Sequence, residues 1–173
     1  MNDKPRKSSW QHSLNGVWKF IYAPTIAASI KDFYRIDLPD SNWDTITVPS
    51  NWEIQGFGEP IIRNIQYVFS SNPPYIDVDN PVGTYRRTFT VPRNWQEREV
   101  FLHFGSISGY ARIYVNGQQV GMTKASKTPA EFNVTNYLKE GENLLAVQIY
   151  RWHDGSYMED PVSYTHLTLP TIC

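Results

Sequence analysis

The chain has 173 residues, enough for one domain with a real core. Its 16 basic and 17 acidic residues leave a formal charge of -1, so no field of one sign draws in nucleic acid or an anionic membrane. A single cysteine, Cys173, excludes an intrachain disulfide, and no apolar run approaches the roughly 20 residues that span a bilayer.

Residues 1–12 are polar and aperiodic and read as an arm; no apolar segment of the signal-peptide kind follows the basic start. Asn15-Gly16 opens a strand over 17–22. Residues 26–33 are expected as a short helix with Thr25 as N-cap. A short strand over 45–48 is stopped by Pro49. Residues 49–83 are broken by Pro49, Pro60, Pro73, Pro74 and Pro81 and by Gly56, Gly58 and Gly83. Irregular connections of that length are uncommon in compact domains and often functional. The aromatic residues Trp52, Phe57, Tyr67, Phe69 and Tyr75 predict that this one is packed down.

Dense strand signal follows. Residues 84–91 alternate, with Tyr85, Arg87 and Phe89 on one face and Arg86, Thr88 and Thr90 on the other. Strands are expected over 100–104 and 110–115, and Asn116-Gly117 is a hairpin turn leading back over 118–122. A short strand over 131–134, one helical turn over 135–138 and a last strand over 144–152 complete the series. About eight short strands with almost no helix predict an all-β fold, a β-sandwich of jelly-roll type with a long Pro/Gly-rich loop. Aromatic residues make up 14 %, which suits a β-rich core and also suits sugar rings that stack on aromatic faces.

Past the last strand the chain turns polar and aromatic, Arg151-Trp152-His153-Asp154-Gly155-Ser156-Tyr157-Met158-Glu159-Asp160. An Asp-Gly turn at a strand end places side chains at a sheet rim, where a ligand is within reach. Catalysis within the chain is not expected. Acid–base work by a pair of carboxyls needs the two to face one another. The nearest pair, Glu159 and Asp160, points to opposite sides if that stretch is extended. Ser106, Ser108 and His103 lie close together without a Gly-x-Ser-x-Gly elbow, and His103 reads as a satisfied sheet residue. His153, beside Asp154, either meets sugar hydroxyls or is solvated. No spacing of His, Cys and Asp suggests zinc.

Several segments in order resemble the amino-terminal domain of glycoside hydrolase family 2: Ser13-Leu14-Asn15-Gly16-Val17-Trp18-Lys19-Phe20, Val48-Pro49-Ser50-Asn51-Trp52-Glu53, Pro81-Val82-Gly83-Thr84-Tyr85-Arg86-Arg87-Thr88-Phe89, Tyr114-Val115-Asn116-Gly117-Gln118-Gln119-Val120-Gly121 and Glu131-Phe132-Asn133-Val134-Thr135. With the run from Gly141 to Asp160 the likeness covers residues 13–160. Most of these motifs are scaffold, shared with glucuronidase- and mannosidase-like relatives. Arg63-Asn64-Ile65-Gln66-Tyr67-Val68-Phe69 and the Asp154 segment resemble the β-galactosidases in particular, with His153 and Val68 standing where serine and proline are usual.

The resemblance implies the first domain of a retaining β-galactosidase, acting on terminal β-D-galactose. Substrate contacts from Asn64, Asp154 and His153 and a sodium ion at Asp154 are implied with it, and no catalytic residue. An amide offers donor and acceptor to hydroxyls, and a carboxylate accepts hydroxyl donors or holds a hard cation. Also implied are β-galactosides as substrates, immunoglobulin-like and (β/α)8 barrel domains as partners, magnesium in the barrel and a homo-oligomer of the full-length enzyme. Trp52, Phe57 and the loop over 49–83 are candidates for the surface packed on the barrel, or for plain core. The alternatives are a stand-alone carbohydrate-binding module, or the same domain of a β-glucuronidase or β-mannosidase. Residues 162–171 resemble the translation, in one frame, of a common transposase sequencing adapter. The expected organisation is therefore an arm over 1–12, a jelly roll over 13–160 and a non-native tail over 161–173, left out of the fold.

Overall fold

A computed structural model describes residues 8–59, 69–70, 72–95 and 97–158, and the backbone alone of 167–172. Ten strands are described: β1 (His12–Ser13), β2 (Gly16–Ala23), β3 (Asp44–Val48), β4 (Val82–Thr90), β5 (Phe101–Ile107), β6 (Tyr110–Val115), β7 (Gln118–Thr123), β8 (Ala130–Asn133), β9 (Glu142–Tyr150) and β10 (Leu167–Ile172). They form a six-stranded sheet in the order β3-β2-β4-β9-β6-β7 and a four-stranded sheet in the order β1-β10-β5-β8. All pairings are antiparallel, the arrangement of a jelly-roll sandwich.

The expected strands are all present. The hairpin between β6 and β7 forms because Asn116 and Gly117 both take positive φ, 50° and 84°, which matches the twist of the flanking strands. Asn116 also ties the turn to its neighbours, donating from Nδ2 to Tyr137 O and Asn143 Oδ1 while Oδ1 accepts from Leu144 N–H. The core joins Trp18, Phe20, Tyr85, Ile113, Leu145, Val147 and Ile149 of the larger sheet to Leu102, Phe104 and Ile107 of the smaller one. Trp52 and Phe57 belong to it: Trp52 is buried, and both rings pack on Phe20. Their role is core.

The expected helix over 26–33 does not form. Thr25 Oγ1 does accept from Ala28 N–H, but the chain continues as separate turns across the outer face of the larger sheet. Burial of Phe33 against Tyr114 and Ala146 outweighs a weak local helix preference. As a result β9 is buried on both faces from Asn143 to Ile149. Arg86 is also buried. It donates to Asp40 Oδ2, Phe33 O, Arg35 O and Leu38 O and so pins the flap over 24–43.

The backbone of 167–172 does join the fold. Leu167–Ile172 lies between β1 and β5, so the smaller sheet has a strand that the sequence reading set aside. The residues Leu-Thr-Leu-Pro-Thr-Ile are apolar and β-branched in the main, and an unpaired sheet edge recruits such a stretch through its backbone.

Candidate functional site

Strand register gathers four loops at one end of the larger sheet. Tyr150 at the end of β9 lies opposite Val82 at the start of β4 and Tyr110 at the start of β6, and Ala111 lies opposite Thr123 at the end of β7. The segments 69–81, 108–109, 124–129 and 151–158 therefore leave the sheet together. Gly109 takes φ 94° at this crossing, and a Cβ there would lie 2.3 Å from Tyr150 O.

The segment 151–158 is clamped from several directions. Asn80 Nδ2 donates to Trp152 O at 2.8 Å, and Asn80 Oδ1 accepts from Trp152 N–H at 2.9 Å. Arg151 meets Glu53 at 2.6 Å in an ion pair whose side chains are both buried. Phe69 packs edge-on against Trp152 and Tyr157, and the Tyr157 hydroxyl shares its one proton between Ser70 O and Tyr75 O.

Asp154 opens a short 3-10 turn, Asp154–Tyr157, on this clamped segment. His153 is its cap: Nδ1 accepts from Gly155 N–H, while the Ser156 hydroxyl accepts from His153 N–H. His153 is thus buried, not the solvated rim residue that was one reading of it. Asp154 is exposed on the rim, with 53 % of its side chain accessible. Both of its oxygens accept from Lys124 Nζ, at 2.7 and 3.0 Å, and Oδ1 also accepts from Gly155 N–H. The hydrogen bond from Lys124 holds the carboxyl below its ordinary value, so it is ionised at neutral pH. Lys124 in turn lies 5.8 Å from the centre of the Tyr110 ring.

Asn64 lies outside the described residues. Phe69, a described part of its loop, rests on the segment that carries Asp154. Glu159 and Asp160 also lie outside them. His103 is satisfied in its sheet, with Nδ1 2.8 Å from Glu131 Oε1 on the paired strand. Sequence reasoning missed Lys124 and Asn80. Neither stands in a motif, and only strand register brings them to Asp154 and Trp152.

No group of three or more His, Cys, Asp or Glu side chains capable of holding a metal occurs among the described residues. Asp154 is a lone carboxylate whose charge Lys124 already balances, so these residues do not by themselves cage sodium. At the opposite end of the larger sheet, a shallow groove of about 360 Å³ runs past Arg86, Lys139 and Glu142. The Arg86 donors there are spent on the flap.

Comparison with known proteins agrees with this architecture. The family model described as glycosyl hydrolases family 2, sugar binding domain, matches residues 11–168. A β-galactosidase of Psychromonas ingrahamii is 42 % identical over 153 residues, covering 88 % of this chain and 15 % of the relative. A β-galactosidase of Vibrio cholerae is 43 % identical over 150 residues, covering 87 % of this chain and 15 % of the relative. Among solved structures, Bacteroides uniformis β-glucuronidase superposes with a TM-score of 0.66 at 22 % identity, over 94 % of this chain and 17 % of that one. An uncultured Clostridium β-glucuronidase gives 0.67 at 23 % identity, over 98 % and 30 %. These structural likenesses establish the fold alone.

Proposed function

We propose that this chain, which belongs to glycoside hydrolase family 2 as its sugar binding domain, walls the active site of a β-galactosidase. The chain spans about 15 % of the length of the β-galactosidases it matches, so the activity belongs to the proposal. The observation that carries it is Asp154, an ionised and exposed carboxylate on a turn held by Asn80, Arg151, His153 and Tyr157. A carboxylate fixed at a rim accepts hydroxyl donors from a sugar at little cost in ordering, because the turn is already set.

In this reading Asp154 meets galactose hydroxyls, and His153 acts with it as part of the turn. Asn64 joins them from the loop that Phe69 anchors. Lys124 must swing aside or share the carboxylate with the sugar. A sodium ion at Asp154 would take the place of the Lys124 ammonium and draw further oxygen ligands from outside the described residues. The reacting carboxyls and magnesium belong to a (β/α)8 barrel, joined through immunoglobulin-like domains in a homo-oligomer. Among the described residues there is no α-helix from which such a barrel is built. The preference for a galactosidase over a glucuronidase rests on 42–43 % identity to the former. Residues 161–173 enter the proposal as a non-native tail, which reading the genomic locus past codon 160 tests.

Two measurements decide between a wall and an independent sugar-binding module. The isolated chain should neither hydrolyse a nitrophenyl galactoside nor bind galactose in a calorimeter. Residues 11–158 grafted in place of their counterpart in the Psychromonas ingrahamii enzyme should support turnover, and Asp154→Asn should then lower kcat/KM by about tenfold or more, as for a lost charged hydrogen bond. Turnover by the isolated chain ends the proposal. Clear galactose binding by it favours the module.

A further inference from the structure

A cavity of different make lies away from the rim. β4 leaves the rim at Val82 and ends at Thr90, so the connection over 91–100 to β5 sits at the opposite end of the larger sheet from Asp154. There Trp10, Trp95, Glu97, Arg98 and Glu99 line an open cavity of about 340 Å³. Small-molecule sites run from about 300 to 1,000 Å³.

Its wall is built from both ends of the chain segment that frames it. Trp10, from the arm, is 41 % exposed, whereas Trp95 is 4 % exposed and belongs to the core. The Arg98 guanidinium lies 3.8 Å from the centre of the Trp10 ring and covers one face of it. Arg98 N–H donates to Trp95 O, which ties the backbone beneath both. Glu97 takes φ 67°, a left-handed conformation that residues other than glycine seldom adopt, and the chain turns there between Trp95 and Arg98. Glu99 Oε1 accepts from Asn133 Nδ2 at 3.2 Å.

One group in this wall is unsatisfied. The indole N–H of Trp95 is buried and meets no acceptor among the described residues. Native proteins rarely leave such a donor alone. The chemistry of the wall narrows what supplies the acceptor. The N–H and the guanidinium need oxygen lone pairs, and the carboxylates need donors. An ammonium ligand carries no lone pair for the N–H. An anion meets two carboxylates against one guanidinium. A hydroxyl both gives and takes, and the C–H face of a pyranose ring packs on an indole.

We propose that this cavity is a second saccharide site, which takes a neutral disaccharide. One ring packs on Trp10, hydroxyls meet Glu97, Arg98 and Glu99, and a hydroxyl oxygen accepts from Trp95 Nε1–H. That N–H is closed to water in the free chain, so entry of the sugar shifts the cover over it; Arg98, which is exposed, is the side chain able to move. The site does not rest on the reading of the rim, because no residue of 151–158 lines it. A single hexose leaves much of the cavity unfilled, so galactose alone gives no heat of binding here.

The test follows the indole N–H signals of the full chain by NMR during titration with lactose, cellobiose and maltose. At least one of the three should move the Trp95 and Trp10 signals together, with a Kd on the order of 1 mM. Trp95→Phe deletes the N–H and keeps an aromatic core residue; it should weaken binding about fivefold, as for one lost hydrogen bond. Trp10→Ala, in the exposed arm, should weaken it at least about fivefold through the lost stacking face and leaves the core untouched. Asp154→Asn should change nothing, whereas loss of binding in that variant would place the sugar at the rim and overturn the second site. Still signals for both indoles up to about 50 mM of all three sugars, some fifty times the expected Kd, also overturn it. So do unchanged affinity in Trp10→Ala, and movement of the signals by methylammonium chloride in place of sugar.

Discussion

The flap over 24–43 and the rim over 151–158 are both irregular chain held against one sheet, yet their charges are used in opposite ways. In the flap the charged group is buried and saturated, with Arg86 donating to one carboxylate and three carbonyls. On the rim the half-buried Asn80 and the buried Arg151 and His153 do the holding, and the carboxylate of Asp154 is left at the surface with an exposed lysine. A buried and satisfied charge is scaffold, because moving it would strand its partners. An exposed charge on a rigid turn has a partner that can be exchanged. The same sheet thus carries one region built to stay shut and another built to present a group.

The comparison breaks first if Arg86 is not what closes the flap. Arg86→Met removes all four hydrogen bonds and leaves one buried and two part-buried carbonyls without this donor. A loss of about 3 kcal/mol is expected by urea unfolding, at the low end for a broken buried pair because Asp40 is partly exposed. Exchange of amides over 24–43 should rise, while those around Asp154 keep their protection. An unchanged midpoint would mean that Phe33 and Tyr114 hold the flap without it.

A smaller effect is expected at the rim. Asn80→Ala deletes both bonds to the Trp152 backbone and no aromatic contact. The expected cost is about 1–2 kcal/mol. The more telling readout is local: amides over 151–157 should exchange faster while β4 and β9 do not. If global stability fell without local loosening, the rim would be part of the core and not a separately held turn.

These distinctions mark where the sequence could be read and where it could not. Alternation and turn chemistry identify strands such as β2, β4 and the β6–β7 hairpin, because both depend on neighbours in sequence. The turns that replace the helix expected over 26–33, and the burial of Arg86, escape local reading because their environment is made by a second layer that no local pattern announces. Asp154 was legible from its Asp-Gly turn at a strand end. Its partner Lys124 lies 30 residues away and reaches it only through the pairing of β7, β6 and β9. The tail offered no internal pattern to complete, and its place is set by the edge of β5.

The finest test addresses the exchangeable partner itself. Lys124→Met leaves the rim clamp intact, so the thermal midpoint should fall only slightly, as for an exposed ion pair. What should move is the titration of Asp154, followed by carboxyl NMR shifts. In the unmodified chain the group titrates below the ordinary aspartate value of 3.8, chiefly because Lys124 donates to it. A carboxyl lowered in the folded state adds its stabilisation above the unfolded value and loses it as pH falls through the lowered one. Without Lys124 the titration should rise toward the ordinary value, short of it by what Gly155 N–H still contributes. An unmoved titration would show that the backbone of the turn fixes the carboxylate alone. Asp154 would then present to a ligand as a bare anion, with no ammonium to displace.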